Sequence, residues 1–122
     1  MKIKLSVIKY RGNLDEERVV LRVLTDTDVG RHLLGVGKYT NSNEVSTKLS
    51  RTFWFPDKQV KQGDFVSIYT KAGTNSEWQN KSESVTHVFY LGLSEAIWEE
   101  SNRAAILFEI SEWKSMRSSD ET

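Results

Sequence analysis

Two histidines, His32 and His87, and no cysteine limit the chemistry open to this chain. A thiolate metal site and a cysteine nucleophile are excluded, and two histidines cannot supply a three-histidine zinc centre. His87 stands mid-run between Thr86 and Val88 and reads as a structural sheet histidine. Asp26-Thr27-Asp28-Val29-Gly30 opens like a calcium loop. Such a loop needs glycine at its sixth position and glutamate at its twelfth, and these are Arg31 and Gly37 here; the stretch reads as a solvated turn. Gly35-Val36-Gly37-Lys38 has the look of a phosphate loop, but His32 replaces the upstream glycine and Tyr39 the magnesium-holding hydroxyl. A glycine bulge is the better reading. Asp15-Glu16-Glu17 and Glu99-Glu100 are adjacent carboxylates, whereas glycoside cleavage needs two held roughly 5–9.5 Å apart across a cleft; they read as solvated surface. There is no Gly-x-Ser-x-Gly elbow. Asn80-Lys81-Ser82 is a glycosylation sequon, relevant only to a secreted chain. No nucleophile and base come together, so the expectation is a protein that is not an enzyme, with no catalytic residue, metal ligand or cofactor.

The elements that must position anything else follow from length and pattern. The chain has 122 residues, one ordinary domain, with 17 basic and 17 acidic residues. Residues 1–60 carry 11 Lys/Arg against 7 Asp/Glu, and residues 61–122 carry 6 against 10. The strongly basic field of a typical nucleic-acid binder is absent. The opening residues hold no long apolar run, so no signal peptide is expected. No stretch approaches the roughly 20 apolar residues of a membrane span. Lack of cysteine fits a reducing, cytoplasmic setting.

The pattern is organised around Thr52–Lys71. Two aromatic and β-branched runs, Phe53–Phe55 and Phe65–Thr70, flank a polar link holding Pro56 and Gly63-Asp64, which predicts two antiparallel strands joined by turns. Upstream, Ile3, Leu5 and Val7 alternate with Lys4 and Ser6, predicting a strand over 2–10. Arg18–Val23 puts Val19, Leu21 and Val23 on one face and both arginines on the other. Residues 31–40 are interrupted by Gly35 and Gly37, as at a bulge or a close backbone approach. Further strands are predicted over 48–55, 64–71 with Val66 and Ile68 inward, 85–91 and 104–112. Residues 72–84 read as an exposed loop anchored by Trp78, and 93–102 as a helical turn whose Trp98 plugs the core. Phe53, Phe55, Phe65 or Tyr69, and Phe89 complete that core. About seven short strands with turns between them predict an all-β sandwich. It forms a single domain over 1–115, followed by a flexible polar tail over 116–122.

At 52–113 the sequence resembles the lamin-tail domain. The run Phe53-x-Phe55-Pro56, then Val60-Lys61-Gln62-Gly63-Asp64-Phe65-Val66-Ser67-Ile68-Tyr69-Thr70 and Gly73-Thr74, is similar to that family. So is Thr86-His87-Val88-Phe89-Tyr90-Leu91-Gly92, followed by Ala96-Ile97-Trp98 and Ala105-Ile106-Leu107. Glu17–Arg22 and Gly35 fit more weakly. Glu99, Asn102-Arg103 and Lys71 depart from the family at turn positions. The resemblance implies an immunoglobulin-like antiparallel β-sandwich whose role is adhesive or targeting, and it implies no catalytic residue.

In the last strand, Ala105 and Leu107 match the family's inward positions. That leaves Ala104, Ile106, Phe108 and Ile110 facing outward, an apolar face of the kind that marks an interaction surface. Trp54, which faces away from Phe53 and Phe55, would join it. The expectation is therefore a protein-binding module, with a protein partner that includes a second copy of itself, through Trp54, Trp78, Ile106, Phe108 and Ile110. The competing expectation is a ligand-binding sandwich for carbohydrate or single-stranded nucleic acid, using Trp54, Trp78 or Trp113 as stacking platforms.

Overall fold

A computed structural model describes residues 1–120. Among these the chain is all-β, with ten strands rather than about seven. They are β1 (Ile3–Lys9), β2 (Arg18–Val23), β3 (Thr27–Asp28), β4 (His32–Lys38), β5 (Arg51–Trp54), β6 (Gln59–Val60), β7 (Phe65–Tyr69), β8 (Ser76–Gln79), β9 (Val85–Tyr90) and β10 (Arg103–Glu109). A single 3₁₀ turn, Val29–Arg31, separates β3 from β4. Three sheets result: five strands in the order β1-β2-β7-β9-β8, three in the order β10-β4-β5, and the short pair β3-β6. No helix among the described residues is long and apolar enough to cross a membrane.

Period-two alternation builds the core. Val19, Leu21 and Val23 of β2 and Val66 and Ile68 of β7 turn inward, as their spacing predicts, and are at most 1% exposed. They meet Leu34 and Val36 of β4, together with Phe55, Phe89 and Trp98, in one cluster that draws on both larger sheets. Ala105 and Leu107 of β10 pack against it, as does Phe53. Each fully buried aliphatic side chain contributes roughly 1.5–3 kcal/mol relative to exposure.

Several expectations are corrected, each for a local reason. The runs Phe53–Phe55 and Phe65–Thr70 are not paired strands: β5 joins β4 and β7 joins β2, and their link supplies β6 to pair with β3. Not every pair is antiparallel either. Residues 72–84 hold the edge strand β8, whose two solvated faces explain its polar sequence. The chain leaves β7, forms β8, and returns by a hairpin so that β9 lies between them, antiparallel to β8 and parallel to β7. In β1 a bulge between Leu5 and Val7 breaks the alternation. Val7 thereby moves outward opposite Val20, and Ile8 takes the inward place opposite Val19. Phe65 and Tyr69 are not core residues; they lie half-buried on the outward face, one position out of phase with Val66 and Ile68. Residues 93–102 form no helix, although Trp98 within them is 1% exposed, as expected of a core plug. Residues 116–120 are exposed and outside any strand, and 121 and 122 of the expected tail lie outside the described residues.

Candidate functional site

β4 sits at the centre of the three-stranded sheet, and register fixes what its outward face presents. Phe108 of β10 and Trp54 of β5 both pair with Leu33, so the three form one row across the sheet. The next row is Ile106, Gly35 and Thr52, and then Ala104 with Gly37. The two glycines are the close approach their sequence suggested. A Cβ on Gly35 would stand 3.0 Å from Leu49 and 3.1 Å from Phe108, and one on Gly37 would stand 3.2 Å from Ile106. Leu49, from the β4–β5 connection, therefore lies over the glycine strip.

Four of the predicted interaction residues converge here. Phe108 and Trp54 are 41% and 45% exposed, and Ile106 and Ile110 are half-buried. The Trp54 indole N–H donates to the Gly30 carbonyl at 2.8 Å, which fixes the ring in place. Trp113 folds back edge-on against it, with ring centroids 4.9 Å apart, and stays 61% exposed. Ile110 lies just beyond the strand end, where its N–H donates to Arg31. Ala104, expected outward, is on this face but only 3% exposed. The fifth predicted residue, Trp78, is not here at all. It stands on β8, at the edge of the other large sheet, 49% exposed.

Two polar centres hold this framework. Glu17, expected as solvated surface, is fully buried. Its carboxylate accepts the N–H groups of Gly12, Ile97 and Trp98 and the hydroxyl of Thr70. It thus ties the start of β2 to the end of β7 and to the 93–102 segment. Burial pushes this carboxyl up, but the four donors outweigh burial and hold it below the ordinary glutamate value of 4.5. Asp64 is the second centre. Its carboxylate accepts the N–H groups of Lys61 and Val85 and meets His87 Nε2 at 2.9 Å. Burial raises this carboxyl too, and the bonds from His87, Lys61 and Val85 lower it by more. An ionised Asp64 can only accept, so Nε2 carries the proton. His87 Nδ1 has no hydrogen bond and comes only within 4.0 Å of Glu77. The pair has two parts of a Ser-His-Asp array and no hydroxyl on the free nitrogen. It clamps β9 to the turn that enters β7.

The calcium-like stretch is spent on the backbone. Asp28 accepts from Gly30 and Lys58 and caps the 3₁₀ turn. Among the described residues, no group of three His, Asp or Glu side chains is arranged to hold a metal. Sequence reasoning missed Glu17 because a carboxylate beside Asp15 and Glu16 carries no mark of burial. The signal available was its place just ahead of the Val19-Leu21-Val23 alternation, which puts it on the inward face. Comparison with protein-family models, with curated proteins and with solved structures gives no match to this chain.

Proposed function

We propose that this protein is a non-enzymatic, lamin-tail-like interaction module of immunoglobulin-like sandwich architecture, and that it binds a second copy of itself through the outward face of β10, β4 and β5. The observation that carries the reading is the row Phe108–Leu33–Trp54, extended by Trp113. Aromatic side chains clustered on one face, without a charge between them, are the composition of an interface centre rather than of ordinary surface. A second copy is favoured because β10 is an edge strand of seven residues with a free ladder side. An edge that long, apolar and free of proline is a template for strand pairing. Antiparallel pairing of two β10 strands would be self-complementary, as a two-fold dimer requires, and would set the two Phe108–Leu33–Trp54 rows side by side on one continuous outward face. The shared core between the two large sheets supports the sandwich reading, and the absence of cysteine fits a cytoplasmic setting.

Light scattering behind size-exclusion chromatography over a concentration series tests this. A dimer is expected, and Phe108→Glu should convert it to monomer. A monomer at every concentration, or a dimer indifferent to Phe108→Glu, would remove the proposal.

A further inference from the structure

The outward face of the five-stranded sheet is a second surface, built separately from the first. Register arranges it in three rows. The middle row runs Val7, Val20, Ser67, Val88, Ser76. These are short side chains, and they make a floor. One wall is Lys9, Arg18, Tyr69 and Tyr90; the other is Lys4, Arg22, Phe65, Thr86 and Trp78. Five strands spaced about 4.8 Å apart give a trough roughly 20 Å long, and the four-residue step from Arg18 to Arg22 sets its walls about 13 Å apart.

Chemistry is graded along the trough. The basic side chains stand on β1 and β2, and the aromatic ones on β7, β9 and β8. No Asp or Glu occupies any of these outward strand positions. Glu16, ahead of β2, lies 3.6 Å from Arg18. Glu77, next to Trp78, turns to the opposite face and pairs with Lys58 at 2.7 Å. Where the two halves meet, cations lie over rings: Arg18 between Tyr10 and Tyr69, Arg22 over Phe65, and Lys71 over Tyr69. Tyr69 and Tyr90 stack with centroids 5.6 Å apart. The balanced formal charge of the chain conceals this local field.

We propose that the trough binds single-stranded nucleic acid, with phosphates along Lys4, Lys9, Arg18 and Arg22 and a base stacked on the exposed ring of Trp78. A basic groove leading to an exposed ring is how such strands are held without sequence preference. A duplex hides its base faces and would leave the aromatic half unused. A neutral sugar would leave Lys4, Lys9 and Arg22 unmatched, and an acidic peptide would give Trp78 no planar partner.

The test is a fluorescence-anisotropy titration of the full chain into labelled oligothymidylate and oligouridylate of about 12 nucleotides. A duplex of the same length and polyglutamate are titrated in parallel, across a range of salt. Single strands should bind best, with log K falling against log salt at a slope of about −2 to −3 for three or four phosphate contacts. Whichever of the two single strands binds more tightly distinguishes DNA from RNA as the source. Arg22→Ala should weaken binding and reduce the slope by about 0.7. Trp78→Ala should weaken it about tenfold at unchanged slope. Both side chains are exposed, so circular dichroism should match the wild type. No binding of either single strand at about 50 mM salt, equal binding of duplex or polyglutamate, or variants that bind like the wild type would each overturn the proposal.

Discussion

The outward faces of the two large sheets both carry aromatic side chains in register, yet their neighbours differ. On the three-stranded sheet the outward ladder positions are Phe108, Ile106, Ala104, Leu33, Gly35, Gly37, Trp54 and Thr52, and none is charged. On the five-stranded sheet the same kind of rows include Lys4, Lys9, Arg18 and Arg22. The difference teaches that an exposed ring has no fixed meaning. Beside aliphatic residues it is area waiting to be covered by another apolar surface. Beside cations it is a stacking plane next to a phosphate-neutralising field. Glycine sharpens the contrast. Gly35 and Gly37 flatten the first face so that Leu49 can lie on it, whereas the second face is a trough because large side chains rise on both sides of Val20 and Ser67.

The largest expected effect removes both faces together. Glu17→Ala strips four donors of their acceptor, two of them, the Thr70 hydroxyl and the Trp98 N–H, buried, and should cost about 2–4 kcal/mol in chemical denaturation, at roughly 1 kcal/mol or more for each buried group left unpaired. The same site sets an acid limit. The folded-state pKa values of Glu17 and Asp64 lie below their unfolded ones, so their contribution is complete above the ordinary carboxylate range and is lost as pH falls through the folded values. Thermal melts should therefore drop as pH is lowered below about 4.5, the ordinary value for glutamate, and Glu17→Gln should flatten part of that dependence.

Next in size are variants that separate the faces. Phe108→Glu should weaken self-association by at least about 30-fold in sedimentation, the scale of a central interface residue. Trp113→Ala removes the ring packed on Trp54 and should weaken association only a few-fold, consistent with about 0.5–1.5 kcal/mol for an aromatic pair. The smallest effect concerns neither face. His32 is fully buried with neither ring nitrogen hydrogen-bonded. His32→Leu should raise stability by about 1 kcal/mol in urea unfolding, because it removes an unsatisfied buried polar group.

What was legible in the sequence follows from range. Alternation within a strand is local, so Val19, Leu21, Val66 and Ile68 are read inward and Arg18 and Arg22 outward without a structure. The apolar outward face of β10 is legible for the same reason. Strand partnership is not local. That β5 and β7 enter different sheets, or that β9 runs parallel to β7, depends on contacts that no window of ten residues contains. The bulge between Leu5 and Val7 has no glycine or proline to announce it, and an edge strand such as β8 is solvated on both faces and passes for a loop. The trough was hidden twice over. Its walls come from five strands spread over residues 4–90, and its cations are cancelled in the formal charge by acidic residues elsewhere.

The most direct test of two separate faces is a crossed measurement. Phe108→Glu and Arg22→Glu are each assayed for oligomeric state by light scattering and for oligothymidylate binding by anisotropy. The account predicts that Phe108→Glu gives a monomer that still binds the oligonucleotide, and that Arg22→Glu gives a dimer that does not. If either substitution abolishes both properties while the protein remains folded, or neither affects its own, the division of labour between the two sheets is wrong.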